Sequence, residues 1–170
     1  TMLSLLIVIA AILLAAFLEP QLLTKETRTL QSAQIPAAFE GLKIVYASDL
    51  HGDSSLALSR IDRLVKKLNA EKPDLLLLGG DYADDEGRAY EALRRISKVK
   101  TTYGILGVRG NHDFGYDLDK VMRECGVTPC TNTGFWIEKD GARIRVAGLD
   151  DYQFGERNFR DAAGDAGEED

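Results

Sequence analysis

The sequence predicts an α/β fold in which a parallel sheet is followed by an antiparallel hairpin. Three short apolar runs alternate with three segments of helical period between residues 42 and 125. Strands that alternate with helices in this way form parallel sheets with right-handed crossovers. Two further apolar-rich stretches flank Asp140-Gly141, which is a hairpin signal. With 170 residues, the chain is long enough to bury a core.

An uncharged segment precedes this pattern. Residues 2–18 carry no charge and end before Glu19, and at about 1.5 Å per residue they would extend roughly 25 Å, near the short limit for a bilayer span. We predict an N-terminal transmembrane helix or signal-anchor over residues 1–19, with a cleaved signal peptide as the alternative. Lys25 and Arg28 place the domain in the cytoplasm by the positive-inside rule. A basic segment before the first residue would reverse that orientation, so the side of the membrane stays open.

The rest divides into a connector over 20–41 and a domain over 42–170. The expected elements of the domain are strands at 42–48, 74–80 and 102–108, helices at 56–70, 86–99 and 116–125, and the hairpin around Asp140-Gly141.

Cys125 and Cys130 lack metal-ligand spacing, so they are either unrelated small residues or a local disulfide. The net charge of −6 argues against a broad basic surface for nucleic acid, but not against a phosphate-bearing substrate.

Each predicted parallel strand is followed by polar residues that suit a site. The clusters are Asp49 and His51, then Asp81, then Asn111, His112 and Asp113. Because ligands bind at the carboxyl edge of a parallel sheet, we expect these clusters to meet there.

Carboxylate, imidazole and amide groups together favour divalent ions such as Mn, Fe or Zn. An extended backbone would point Asp49 and His51 the same way, and Asp81 could bridge two ions. A calcium loop over residues 80–87 is the disfavoured alternative, since the closing position is occupied by Ala92.

The motifs "SDLHGD", "GGDYAD" and "RGNHDF", in this order, resemble the calcineurin-like metallophosphoesterase superfamily. The apolar N-terminus, the lead-in "IPAAFEGLKIVYASDLH" and the "GLDD" at 148–151 are similar to its membrane-anchored bacterial branch, and the resemblance covers residues 1–155. It implies a metallophosphoesterase-type α-β-β-α sandwich. It also implies a metal-dependent phosphoesterase that acts on a phosphate ester, with a phosphodiester as the expected substrate. Because the predicted anchor would keep the domain near a bilayer, we expect a lipid-linked or cell-envelope phosphate.

The resemblance also implies roles for individual residues. Asp49, His51, Asp81 and Asn111 would bind two divalent metal ions that activate a water. His112 would be catalytic, as the general acid that protonates the leaving oxygen. Asp113 would orient His112.

The family pattern requires further histidine ligands, and no histidine follows His112. We therefore expect a C-terminally truncated domain with an incomplete second sheet, weak metal binding and little activity. The alternative is a membrane-tethered, non-catalytic binding or scaffold protein with an incomplete site.

Overall fold

The computed structural model describes residues 2–18 and 23–166, in two compact units, Thr1–Leu30 and Gln31–Asp170. The first unit contains helix α1, Met2–Leu18. Among the described residues, no helix combines the length and the apolar character needed to cross a membrane. The predicted transmembrane helix is therefore not supported by the structure.

The second unit holds the predicted α/β arrangement. A short 3-10 helix at Ala37–Phe39 comes first. The elements that follow are β1 Ile44–Ala47, α2 Ser55–Glu71, β2 Leu75–Leu78, α3 Glu86–Ile96, β3 Ile105–Gly107, α4 Leu118–Glu124, β4 Thr128–Pro129, β5 Thr133–Lys139, β6 Ala142–Gly148 and α5 Phe159–Ala163. The sequence predicted all of these except the short β4 and α5.

Strands β1 to β4 form one parallel sheet in the order β1-β2-β3-β4. The register pairs Ile44 with Leu75 and Leu76 with Ile105. Helices α2, α3 and α4 pack on one face of this sheet, where Leu76 and Leu78 join a large apolar cluster. The parallel sheet that the alternating pattern predicted is confirmed.

Local sequence fixes where the covering helices begin and which face they bury. The side chain of Ser54 accepts a hydrogen bond from the Ala57 amide at the start of α2, and Asp85 does the same for α3. Such caps satisfy amides that have no partner within the helix. Ile61, Val65 and Leu68 then recur at helical spacing and are buried against the sheet.

The second face of the sheet is covered by the β5–β6 hairpin. Leu75, Leu106 and Ile137 are buried there together with Phe39, which lies in the segment expected to be only a connector. The hairpin turns at Asp140-Gly141, both with positive φ, as the sequence predicted. Helix α5 lies against the hairpin, where Arg145 Nε donates to the Ala162 carbonyl at 3.0 Å.

The two cysteines lie on opposite sides of the parallel sheet and are free. The Cys125 thiol contacts the Tyr90 carbonyl at 3.6 Å, and the Cys130 thiol contacts the Thr133 carbonyl at 3.3 Å. Burial raises the pKa of both thiols. The local disulfide is thus absent, and both residues act as small core side chains.

Candidate metal centre

The loops that follow β1, β2 and β3 converge at the carboxyl edge of the sheet. His51 Nε2 lies 3.9 Å from Asp49 Oδ1 and 4.0 Å from Asp81 Oδ2. His51, Asp81 and His112 each offer a ligand atom within 4.8 Å of the others. The structure therefore brings together, from three separate loops, side chains that the sequence placed at one edge.

The backbone at this edge differs from the extended form expected for the D-x-H segment. Asp49, His51 and Asp81 all have positive φ, at 56°, 42° and 58°. Left-handed backbone is uncommon for residues other than glycine and often occurs at functional sites. The Asp49 amide donates to the Gly80 carbonyl, and the His51 amide to the Asp81 carbonyl, each at 3.0 Å. These bonds between the two loops, rather than strand alternation, set the direction of Asp49 and His51.

Two glycines allow the second and third loops to touch. A Cβ added to Gly110 would lie 2.2 Å from Asp81 Oδ1, and one added to Gly80 would lie 2.4 Å from the Gly110 amide nitrogen. Gly80 also has a φ of 97°. Any side chain at either position would separate the loops, so the glycines keep Asp81 beside the turn that carries His112.

Asp81 is a largely buried carboxylate with one oxygen already engaged. Its Oδ1 accepts a hydrogen bond from the His112 amide at 2.9 Å, while Oδ2 faces His51. The first contact fixes the carboxylate, and the second oxygen is directed toward the other candidate ligands.

The His112 ring is held by the Asp84 carboxylate, which lies outside the residues predicted for the site. Its Nδ1 lies 2.7 Å from Asp84 Oδ1. This hydrogen bond raises the pKa of His112 above its usual value. One signal was available in the sequence: Asp84 and Asp85 follow the "GGDY" motif together, and only Asp85 is required as the α3 cap.

Asp113 does not orient His112, contrary to the expectation from the resemblance. Its Oδ2 accepts from the amides of Asp81 and Gly110, at 2.7 and 2.9 Å. Its Oδ1 accepts from the Tyr82 amide at 2.8 Å and the Tyr116 hydroxyl at 3.0 Å. Burial raises the pKa of Asp113, although these hydrogen bonds oppose the shift. Both oxygens are used within the protein, so Asp113 joins the second and third loops.

The donor set fits a divalent metal ion. Carboxylate oxygens from Asp49 and Asp81 and an imidazole nitrogen from His51 are ligands that Mn, Fe and Zn accept, and no thiol lies among them. Asn111 is half-buried in the same turn as His112. Its part as a ligand stays a prediction.

Comparison with known proteins places these motifs in a family. The family model for calcineurin-like phosphoesterases matches residues 42–156. This chain belongs to the calcineurin-like phosphoesterase family.

Its relatives are longer proteins. The uncharacterized metallophosphoesterase YkuE of Bacillus subtilis (strain 168) is 30% identical over 85% of this chain and 54% of its own length. A "transmembrane protein with metallophosphoesterase domain" of Danio rerio is 27% identical over 71% of this chain and 29% of its own. The crystal structure of phosphopantetheinyl hydrolase from Mycobacterium tuberculosis superposes on 62% of this chain and uses 41% of the hydrolase chain, with 17% identity and a TM-score of 0.47. The chain thus spans about half, or less, of the length of these proteins.

Proposed function

We propose that this chain carries the centre of a metal-dependent phosphoesterase that hydrolyses a phosphate ester, with a phosphodiester as the expected substrate. One observation supports this most directly: three strand-end loops bring His51, Asp81 and His112 within reach of one another, with Asp49 beside them. Asp49, His51, Asp81 and Asn111 would hold two divalent ions. Such ions, when bound, neutralise phosphate charge and lower the pKa of water.

His112 is the general acid in this proposal. Asp84 occupies Nδ1, which leaves Nε2 as the ring nitrogen able to donate a proton to the leaving oxygen. The same carboxylate raises the pKa of His112 and so favours the protonated form that an acid needs near neutral pH. The ring is also partly exposed, so a substrate can reach it.

Metal content tests the ligand assignment without relying on turnover. In the full-length protein, we expect Asp81→Ala to lose bound Mn²⁺ in a calorimetric titration, because the substitution removes a carboxylate at the centre of the cluster. His112→Ala should keep the metal. Asp140→Asn is the matched control, since Asp140 is another aspartate with positive φ but lies in the hairpin turn. If His112→Ala also loses Mn²⁺, His112 is a ligand and its proposed role is wrong.

Turnover tests the reaction class. In the full-length protein loaded with Mn²⁺, His112→Ala should lower kcat on a chromogenic phosphodiester by about 10²- to 10⁴-fold, the usual contribution of general acid catalysis. Asp140→Asn should leave kcat unchanged. If the protein binds Mn²⁺ but hydrolyses neither phosphodiesters nor phosphomonoesters, the phosphoesterase proposal is wrong and the protein is a non-catalytic binding or scaffold protein.

Membrane attachment and a lipid-linked or cell-envelope substrate complete the proposal. The support is the composition of α1, which has no charged residue and exposes Leu6 and Ile9. We expect the protein to stay with membranes after an alkaline wash, and Leu6→Lys with Ile9→Lys to release it. Release of the unmodified protein by that wash contradicts membrane attachment. If the protein hydrolyses a lipid phosphodiester no faster than a soluble monoester, the proposal of a lipid-linked substrate is wrong.

A further inference from the structure

The loop after β6 contains the "GLDD" sequence and presents aromatic side chains on a rigid backbone. Asp151 Oδ1 accepts from the amides of Gln153 and Phe154, each at 2.8 Å. Asn132 Oδ1 accepts from the amides of Asp150 and Asn158, at 3.2 and 2.9 Å. These bonds fix both the interior of the loop and its base.

The fixed loop leaves its aromatic rings open to solvent. Phe154 is 68% exposed and Tyr152 is 77% exposed. Single exposed apolar side chains are ordinary, but two in one hydrogen-bonded loop form a preorganised surface that loses little entropy on binding. The guanidinium of Arg157 lies 4.5 Å from the centre of the Tyr152 ring, which adds positive charge to this surface.

This loop reaches the turn that carries His112. The rings of Phe154 and Phe114 meet edge to face with centres 5.9 Å apart. Phe114 lies two residues after His112, so their Cα atoms are at most about 7 Å apart. Phe114, which follows His112 by two residues in the same turn, thus connects the Phe154 ring to the turn that carries His112.

Arg109 lies beside Phe114. Its guanidinium carbon lies 5.1 Å from the centre of the Phe114 ring. Its Nε is buried and has no hydrogen-bond partner in the part of the chain that the structure describes.

We propose that Phe114 and Phe154, with Arg109 beside Phe114, form a subsite for a planar aromatic group of the phosphate ester. This inference rests on the proposed function, because the subsite adjoins the candidate phosphate site and has no other assigned task. Ring stacking supplies the affinity, and the cation favours a group attached to a phosphate.

Two phosphonates test the proposal, one with a phenyl group and one with a methyl group on phosphorus. In the Mn²⁺-loaded full-length protein, phenylphosphonate should bind at least tenfold more tightly than methylphosphonate by calorimetry. Phe154→Ala should reduce that ratio to about two, and Phe154→Leu, which keeps apolar area but loses the ring, should give an intermediate ratio. Phe159→Ala is the control, because Phe159 is similarly exposed but lies on α5.

The outcomes separate this inference from the proposed function. If methylphosphonate binds but the ratio is near one, or is unchanged in Phe154→Ala, the subsite is overturned while the phosphoesterase centre stands. If neither phosphonate binds and no ester is hydrolysed, both proposals fail. Adenosine 5′-monophosphate distinguishes the source of the ring: binding tighter than phenylphosphonate and sensitive to Phe154→Ala supports a nucleotide, whereas weaker binding supports a simple aryl group.

Discussion

The site has two layers of polar residues that differ in burial and in what their hydrogen bonds do. The floor consists of Asp113, Tyr82 and Tyr116, and the rim consists of Asp49, His51, Asp84 and His112. In the floor, Asp113 and Tyr82 are fully buried and their polar atoms bond to the protein. In the rim, the side chains are exposed to solvent and keep ligand atoms available.

This difference separates positioning from chemistry. Floor hydrogen bonds run between the second and third loops, so they determine where Asp81 and His112 lie relative to each other. Rim side chains add little to that arrangement, because solvent screens exposed pairs. Substitutions in the floor should therefore mainly change stability, and substitutions in the rim should mainly change binding and turnover.

The largest expected effect comes from removing the floor carboxylate. Asp113→Ala leaves the amides of Asp81, Tyr82 and Gly110 without their acceptor. We expect the free energy of unfolding to fall by about 3–5 kcal/mol, measured by urea denaturation of the metal-free protein. Asp117→Ala, which removes only the α4 cap, should cost about 1 kcal/mol. Equal losses in the two variants would mean that Asp113 is no more than a local turn residue.

The rim carboxylate should show the opposite behaviour. In the full-length protein, Asp84→Asn should lower kcat about 10- to 100-fold, less than the roughly 10²- to 10⁴-fold loss expected for His112→Ala, because the acid remains but loses the carboxylate that holds its Nδ1. Its stability should stay close to that of the unmodified protein because Asp84 is exposed. Asp85→Asn is the matched control, since asparagine caps a helix as well as aspartate. A strongly destabilised Asp84→Asn, or an equal loss of kcat in the control, contradicts the division into floor and rim.

The roles of Asp84 and Asp113 also mark the limit of prediction from sequence. The resemblance to the family implied that Asp113 would orient His112. In the folded protein, Asp113 points down to amides of the second loop, while Asp84 comes from that loop to the ring. The partner of each carboxylate depends on how the two loops pack against each other. A local pattern of residue types does not contain that information.

Other features followed from the pattern because they depend on periodicity or on topology. Helices α2 and α3 have enough residues for an apolar period to be visible, while the strands of the sheet appear as short apolar runs and the hairpin is signalled by Asp140-Gly141. Strand β4 has two residues and α5 has five, which is too short for a period. The meeting of His51, Asp81 and His112 was predictable, since parallel strands bring their carboxyl ends to one edge.

A smaller effect should come from a single hydroxyl in the floor. The Tyr116 hydroxyl lies 3.0 Å from Asp113 Oδ1 and 3.1 Å from the Ala83 carbonyl. We expect Tyr116→Phe to lower the free energy of unfolding by about 1 kcal/mol in urea denaturation, the net value of one hydrogen bond. Tyr90→Phe, at a tyrosine that is 38% exposed, should change it little. If the two variants are equally stable, the hydroxyl does not help to hold Asp113.

The smallest effect should be a change of protonation at the rim. In the metal-free protein, the hydrogen bond that His112 Nδ1 donates to Asp84 raises the pKa of His112 above its ordinary value of 6.5. Because the pKa of His112 is raised in the folded state, its pair with Asp84 stabilises the fold most at pH values below the unfolded-state pKa of histidine. This contribution to the free energy of unfolding is lost as the pH rises through the folded-state pKa. Asp84→Asn should lower the pKa of His112 in an NMR titration of its ring, with His112→Gln to assign the signal. A shift of the same size in Asp85→Asn would mean that His112 responds to the general negative charge of the loop. The hydrogen bond to Asp84 would then not be the cause of the raised pKa.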